Sequence, residues 1–165
     1  MAGIYIHIPY CKQACHYCDF HFSTVLRTAP EMEEALLREI RMRKDYLEGR
    51  PISTIYLGGG TPSLMPPAYM DQLLSLIRTT FFLEEEVEIT LEANPDDLSA
   101  EKLKTLFELG VNRLSIGIQS FDDEVLKFLN RAHNRSQAIR SIEESRNAGF
   151  RNLNIDLIHS IPGSR

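Results

Sequence analysis

Two rhythms of hydrophobic and polar positions take turns along the chain. Short β-rich runs, the later ones alternating apolar and polar positions, fall at residues 3–8, 54–57, 87–92, 112–118 and 152–158. Between them, residues 31–48, 67–79, 99–109, 122–129 and 136–147 show the three-to-four spacing of an amphipathic helix. Pro67 suits a first helical turn, Ser99 follows Asp96 and Asp97 as an N-cap, and Ser136 opens the last helix. Gly110 and Gly149 stand just past two helices, where a left-handed C-cap is expected. Strand then helix, repeated with short connections, predicts parallel strands joined by right-handed crossovers: an α/β sheet or barrel.

Parity within the strands sharpens this. Val87, Ile89 and Leu91 alternate with Glu88, Thr90 and Glu92; Leu114, Ile116 and Ile118 alternate with Ser115, Gly117 and Gln119. Leu153, Ile155 and Leu157 alternate with Asn154 and Asp156. Parallel strands buried on both faces read as continuous apolar runs, and a filled barrel packs branched apolar side chains into its lumen. One polar face predicts instead a wider or incomplete barrel that holds a polar ligand. The strands lead into residues 9–18, Gly58-Gly59-Gly60, Glu92-Ala93-Asn94-Pro95, Gln119-Ser120 and His159-Ser160, which should converge on one ligand-binding mouth. The sequence stops soon after the fifth strand pattern with no closing helix. The expected fold is a partial (β/α) barrel truncated after about the fifth strand, residues 1–165 being the N-terminal part of the domain.

Composition adds mainly exclusions. With 43% hydrophobic and 25% charged residues the chain is an ordinary globular sequence and not a disordered one. A formal net charge of −5 argues against a nucleic-acid partner. No apolar run approaches the roughly 20 residues needed to span a bilayer, and the N-terminus lacks the pattern of a secretion signal. A cytoplasmic protein without a transmembrane segment is expected.

The cysteines change the picture most. All three, Cys11, Cys15 and Cys18, fall in one short loop spaced C-x3-C-x2-C. An odd, tightly bunched set is no disulfide framework and points to a metal or catalytic site. Three thiolates can hold three irons of a [4Fe–4S] cluster and leave the fourth open to a chelating ligand. Structural zinc, completed by His7, His16 or His21, is the alternative, although zinc modules favour paired C-x2-C steps. Packing cysteines are a third reading. Gly58-Gly59-Gly60-Thr61 follows a strand and is neither a Walker loop nor G-x-G-x-x-G. It is either a tight turn or a close backbone approach to a ligand.

The C-x3-C-x2-C loop, with aromatic Tyr17 before its last cysteine, resembles the signature of radical S-adenosylmethionine (SAM) proteins. Further stretches narrow the likeness: Tyr5-Ile6-His7-Ile8-Pro9-Tyr10-Cys11, Gly58-Gly59-Gly60-Thr61-Pro62-Ser63, Glu92-Ala93-Asn94-Pro95, Ser115-Ile116-Gly117-Ile118-Gln119-Ser120-Phe121 and Asn154-Ile155-Asp156-Leu157-Ile158. Together they resemble the oxygen-independent coproporphyrinogen III oxidase group over essentially the whole chain. The dehydrogenases of that group carry a further cysteine two residues after the third, where this chain has Phe20. Cys18-Asp19-Phe20-His21-Phe22-Ser23 is similar to the HemW-type heme chaperone branch. A phenyl ring can neither ligate metal nor donate a hydrogen atom, which counts against coproporphyrinogen oxidase activity, the alternative reading.

The resemblance implies that Cys11, Cys15 and Cys18 ligate a [4Fe–4S] cluster whose open iron is chelated by SAM. It implies SAM contacts for Tyr5, Tyr17, Gly59, Gly60, Thr61, Glu92, Gln119, Arg131 and Asp156, and assigns no catalytic residue. Heme would be a cargo bound beyond Arg165 and passed to an acceptor protein, with a low-potential electron donor serving the cluster. Asp96 departs from the glycine usual after Asn94-Pro95, and His159-Ser160 from the usual Tyr-Gly.

Overall fold

The computed structural model describes residues 2–162. Five strands, β1 (Ala2–Ile8), β2 (Ile52–Gly59), β3 (Leu83–Ala93), β4 (Arg113–Gln119) and β5 (Asn152–Leu157), pair in chain order, and every pairing is parallel. Helices α1 (Ala29–Met42), α2 (Pro67–Thr80), α3 (Ala100–Glu108), α4 (Asp123–Phe128) and α5 (Arg135–Asn147) connect them. This is the expected α/β architecture, an open arc of barrel.

Register turns the alternation into two faces. Ile6 pairs with Leu57, Leu57 with Leu91, Leu91 with Leu114, and Leu114 with Leu153, one apolar row across the sheet. With Ile55, Ile89 and Ile116 this row packs against Leu73, Leu74, Ile77 and Leu103 of the helices, all essentially inaccessible. The opposite face carries Tyr5, Tyr56, Thr90, Arg113 and Asn152 as one row and Glu92, Ser115 and Asn154 as the next. One face of the arc is therefore oily and helix-covered, the other polar and open. Edge strand β5 leaves Ile155 and Leu157 exposed on its apolar side.

Boundaries differ from the sequence reading at two helices. Helix α1 starts with Pro30 in its first turn and ends at Met42, not residue 48. Beyond Ile40 no fully buried side chain ties the segment to the sheet. The backbone there tightens into turns, with Tyr46 N–H on the Arg43 carbonyl and Glu48 N–H on that of Asp45. Helix α5 is capped by Asn134, whose side chain accepts the Gln137 N–H while Gln137 returns a bond to the Asn134 N–H; Ser136 lies inside the first turn. Ser99 caps α3 as expected. Gly110 and Gly149 both take positive φ. Residues 163–165, on which the expected truncation rests, lie outside the described residues. Among the described residues no helix is long and apolar enough to cross a membrane.

Candidate functional site

A cavity of about 200 Å³ opens at the C-terminal ends of the strands, on the polar side of the arc. The cysteine loop forms one wall and contributes Cys11, Cys15, Tyr17, Cys18 and Phe20. This loop leaves β1 and closes on itself, the Cys11 N–H donating to the Ser23 carbonyl at 3.0 Å and Ser23 N–H to that of Pro9 at 2.7 Å. Cys18 N–H bonds back to the Cys15 carbonyl.

The loop's far end docks on the end of α4. The last carbonyls of a helix have no partner within it. Here Leu129 accepts the His16 N–H, Phe128 accepts His16 Nδ1 at 2.8 Å, and Asn130 accepts Gln13 Nε2 at 2.6 Å. Asn130, in the left-handed region at φ 56°, returns a bond from Nδ2 to the Ala14 carbonyl. Arg131 follows at once. Its Nη1 reaches Cys15 Sγ at 3.3 Å and Tyr17 Oη at 3.2 Å, while its Nη2 donates to Asn94 Oδ1 at 2.6 Å and the Gly117 carbonyl at 2.8 Å. Arg131 Nε is buried without a partner.

The glycine loop forms the second wall. An added side chain at Gly60 would stand 2.7 Å from the Tyr10 carbonyl and 3.0 Å from Cys11 Sγ. One at Gly59, where φ is 118°, would strike the His7 ring at 2.8 Å. These glycines are needed first for close packing of the β1 exit and the first cysteine on the β2 exit. Thr61, nearly inaccessible, donates its hydroxyl to Cys11 Sγ at 3.4 Å. Burial pushes the Cys11 thiol up, and the Thr61 hydrogen bond opposes it; Cys18 and Cys15 push it further up, while Arg131 pulls it down. Cys15 and Cys18 thus both lie within electrostatic reach of Cys11. Burial is also the main reason the Tyr17 phenol is pushed up to about 12.

Glu92 closes the third wall. Tyr56 Oη donates to its Oε1 at 2.7 Å and Gly59 N–H to its Oε2 at 3.0 Å, so both carboxylate oxygens are fixed. Asp156 is held by Asn154 Nδ2 at 2.7 Å and the Ser115 hydroxyl at 3.4 Å. Gln119 lines the cavity from a break in the β4–β5 register, at φ 65°. All the residues named from the sequence as cluster or SAM contacts line this cavity except Tyr5. Tyr5 is 59% exposed, stacks on Tyr56 with ring centroids 6.0 Å apart, and bonds His7 Nδ1, one layer away from the cavity wall.

Several participants had no place in the sequence-derived contact set. Asn94 joins Thr61 to Arg131, accepting from Nη2 and donating to the Thr61 hydroxyl at 3.2 Å. Its place beside Glu92 in a quoted motif was the available signal. Tyr56 was detectable by parity, two positions before Gly58. His133, buried with Nε2 on the Ile118 carbonyl, and the contacts of Gln13 and Asn130 depend on pairings no local pattern announces. Among the described residues no three His, Cys, Asp or Glu side chains converge tightly enough for a single metal ion. A cluster in which each thiolate binds its own iron does not ask for such convergence.

Residues 5–164 match the radical SAM superfamily. The chain is 40% identical to the heme chaperone HemW of Bacillus subtilis (strain 168), over 99% of this chain and 44% of that protein. It is also 40% identical to the heme chaperone HemW of Escherichia coli (strain K12), over 97% and 43%. Among solved structures it matches coproporphyrinogen III oxidase (HemN) from Escherichia coli, a radical SAM enzyme, with a TM-score of 0.91 at 32% identity, over 98% of this chain and 38% of that one. The chain spans less than half the length of these relatives.

Proposed function

The chain belongs to the radical SAM superfamily, and from that premise we propose that it is the cluster-binding part of a HemW-type heme chaperone. In this reading Cys11, Cys15 and Cys18 hold a [4Fe–4S] cluster and SAM occupies the cavity beside it. Heme is the cargo, an acceptor protein receives it, and a low-potential donor reduces the cluster, in the cytoplasm.

The residues fit both groups. The three thiols share one cavity wall, with hydrogen-bond donors from Thr61 and Arg131 already on two of the sulfurs. Such bonds stabilise thiolate charge and tune a cluster. A zwitterionic ligand with a ribose meets the fixed carboxylate of Glu92, the Asp156 carboxylate and the Arg131 guanidinium. When bound, a cluster with SAM supplies one-electron chemistry that the chain's own side chains lack. Those side chains orient the ligand, and Tyr56 and Gly59 N–H hold Glu92 in place.

The observation that carries the chaperone reading is Phe20. It lines the cavity, 76% exposed, where the oxidase pattern has a further cysteine. The closeness of the oxidase structure, at a TM-score of 0.91, favours the alternative, coproporphyrinogen III dehydrogenase activity. The test uses the full-length protein that carries this chain, reconstituted anaerobically with iron and sulfide, then given SAM, a low-potential reductant and coproporphyrinogen III. Iron with acid-labile sulfide, no decarboxylated porphyrin, and saturable heme binding on titration are expected. Decarboxylated product would make the protein an enzyme of the oxidase type. Stoichiometric zinc without visible absorption would sink the cluster itself.

A further inference from the structure

We infer that Lys12, gripped by Asp96 and Asp97, is a positioning residue that sets the first half of the cysteine loop in its cluster-binding shape before metal arrives. Lys12 directly follows Cys11. Its Nζ donates to Asp96 Oδ2 at 2.6 Å and pairs with Asp97 Oδ1. The carboxylates are no loose surface partners: their side chains are 10% and 3% exposed, against 41% for Lys12. Asp97 Oδ2 accepts the Ser63 hydroxyl at 2.8 Å, and the Ser63 oxygen in turn accepts the Asn94 N–H at 3.2 Å. Lys102 of α3 donates to the Ser63 carbonyl. Lys12 therefore plugs into a junction of the β2 exit, the β3 exit and α3 that is already tied together.

Two cations serve this junction: Lys102 lies within electrostatic reach of Asp97, and Lys12 bonds both carboxylates, the only one of the two hydrogen-bonded to Asp96. Two carboxylates sit side by side with most of their surface out of water, and Asp96 Oδ1 is buried with no hydrogen-bond partner. A buried carboxylate without a compensating cation is costly, so this junction draws the Lys12 ammonium down and Cys11 with it. Asp96 is also where this sequence departs from the pattern it resembles, so the grip belongs to this chain.

The inference rests on the cysteines being cluster ligands, and its test separates the two claims. Lys12→Met, Lys12→Arg, Lys12→Asp, Asp96→Lys and the Lys12→Asp/Asp96→Lys pair are made in the reconstituted protein. The rate at which a chelator strips iron is followed, along with amide exchange of residues 11–15 in the metal-free form. Lys12→Met should lose iron about tenfold faster, because two largely buried carboxylates lose the cation that bonds them both. Lys12→Arg should stay near wild type. Lys12→Asp should be worse than Lys12→Met and be rescued in part by Asp96→Lys, a coupling that independent sites do not show. Additive effects, or unchanged stripping and exchange in Lys12→Met, would overturn the inference. Wild-type protein that takes up no iron and sulfide would defeat the cluster reading instead, and the exchange data would still decide the grip.

Discussion

Cys11 and Cys15 share a loop yet are held by different parts of the molecule. Cys11 is fixed by what lies near it in the barrel order. The Ser23 backbone closes the loop, Gly60 packs under it, Thr61 bonds its sulfur, and the β1–β2 register puts all of these together. Cys15 is fixed from more than a hundred residues away, by Arg131 on its sulfur and the α4 carbonyls under His16 and Gln13. The first half leans on β1 and β2 and, through Lys12, on the β3 exit. The second needs β4 and the end of α4 in place. The cysteine loop is thus anchored in two places, and the halves should fail differently.

Replacing any one cysteine by alanine should erase the contrast with the largest effect, complete loss of the cluster absorption, since three irons need three thiolates. Removing the supports separates the halves. Arg131→Met deletes donors to Cys15, Tyr17, Asn94 and Gly117 and leaves buried acceptors bare, at a cost of about 3 kcal/mol. Amide exchange of the metal-free protein should rise across residues 13–18 and not at Cys11. A uniform rise through the loop would break the distinction. Gly60→Ala drives a methyl against the Tyr10 backbone and should cost about 2 kcal/mol. Here Cys11 should loosen while His16 keeps its protection.

The same division explains how far the sequence could be read. β-rich runs marked all five strands, and period-two alternation in the last three, where helices bury one face, placed Glu92 and Asp156 on the cavity side. The cysteine spacing singled out a loop whose three thiols share one cavity wall, because closely spaced residues stay together whatever the rest of the fold does. The Arg131 contacts to Cys15, Asn94 and Gly117 were not legible, nor was the Asn130 bond to Ala14, since each joins segments with no shared periodicity. Tyr5 stands off the cavity wall for a related reason: depth along β1 decides contact, and Tyr5 lies one layer away, against Tyr56. Tyr56→Phe tests that layer. It removes the hydroxyl from Glu92 Oε1 and should weaken SAM binding about fivefold, read by equilibrium dialysis, without altering iron content. Unchanged affinity would mean that Gly59 N–H alone orients the carboxylate.

The smallest effect should come from pH, and on one half only. His133 is 4% exposed, donates Nε2–H to the Ile118 carbonyl, and has a buried Nδ1 without a partner. Its pKa is lowered, first by burial and then by the neighbouring Arg131 charge, while the Ile118 bond and Asp96 oppose the shift. A histidine with a depressed native pKa favours the unfolded state when it protonates. Its neutral form therefore supports the fold above the ordinary histidine range, and that support is lost as pH falls through the lower native value. The added charge would face Arg131, the residue that holds Cys15. Mild acid should accordingly raise exchange at residues 13–18 before residues 9–12, and His133→Gln, which keeps a donor for Ile118 but cannot ionise, should remove that order. Equal loosening of both halves in acid, or acid loosening that survives His133→Gln, would show that the two anchorages are one cooperative unit.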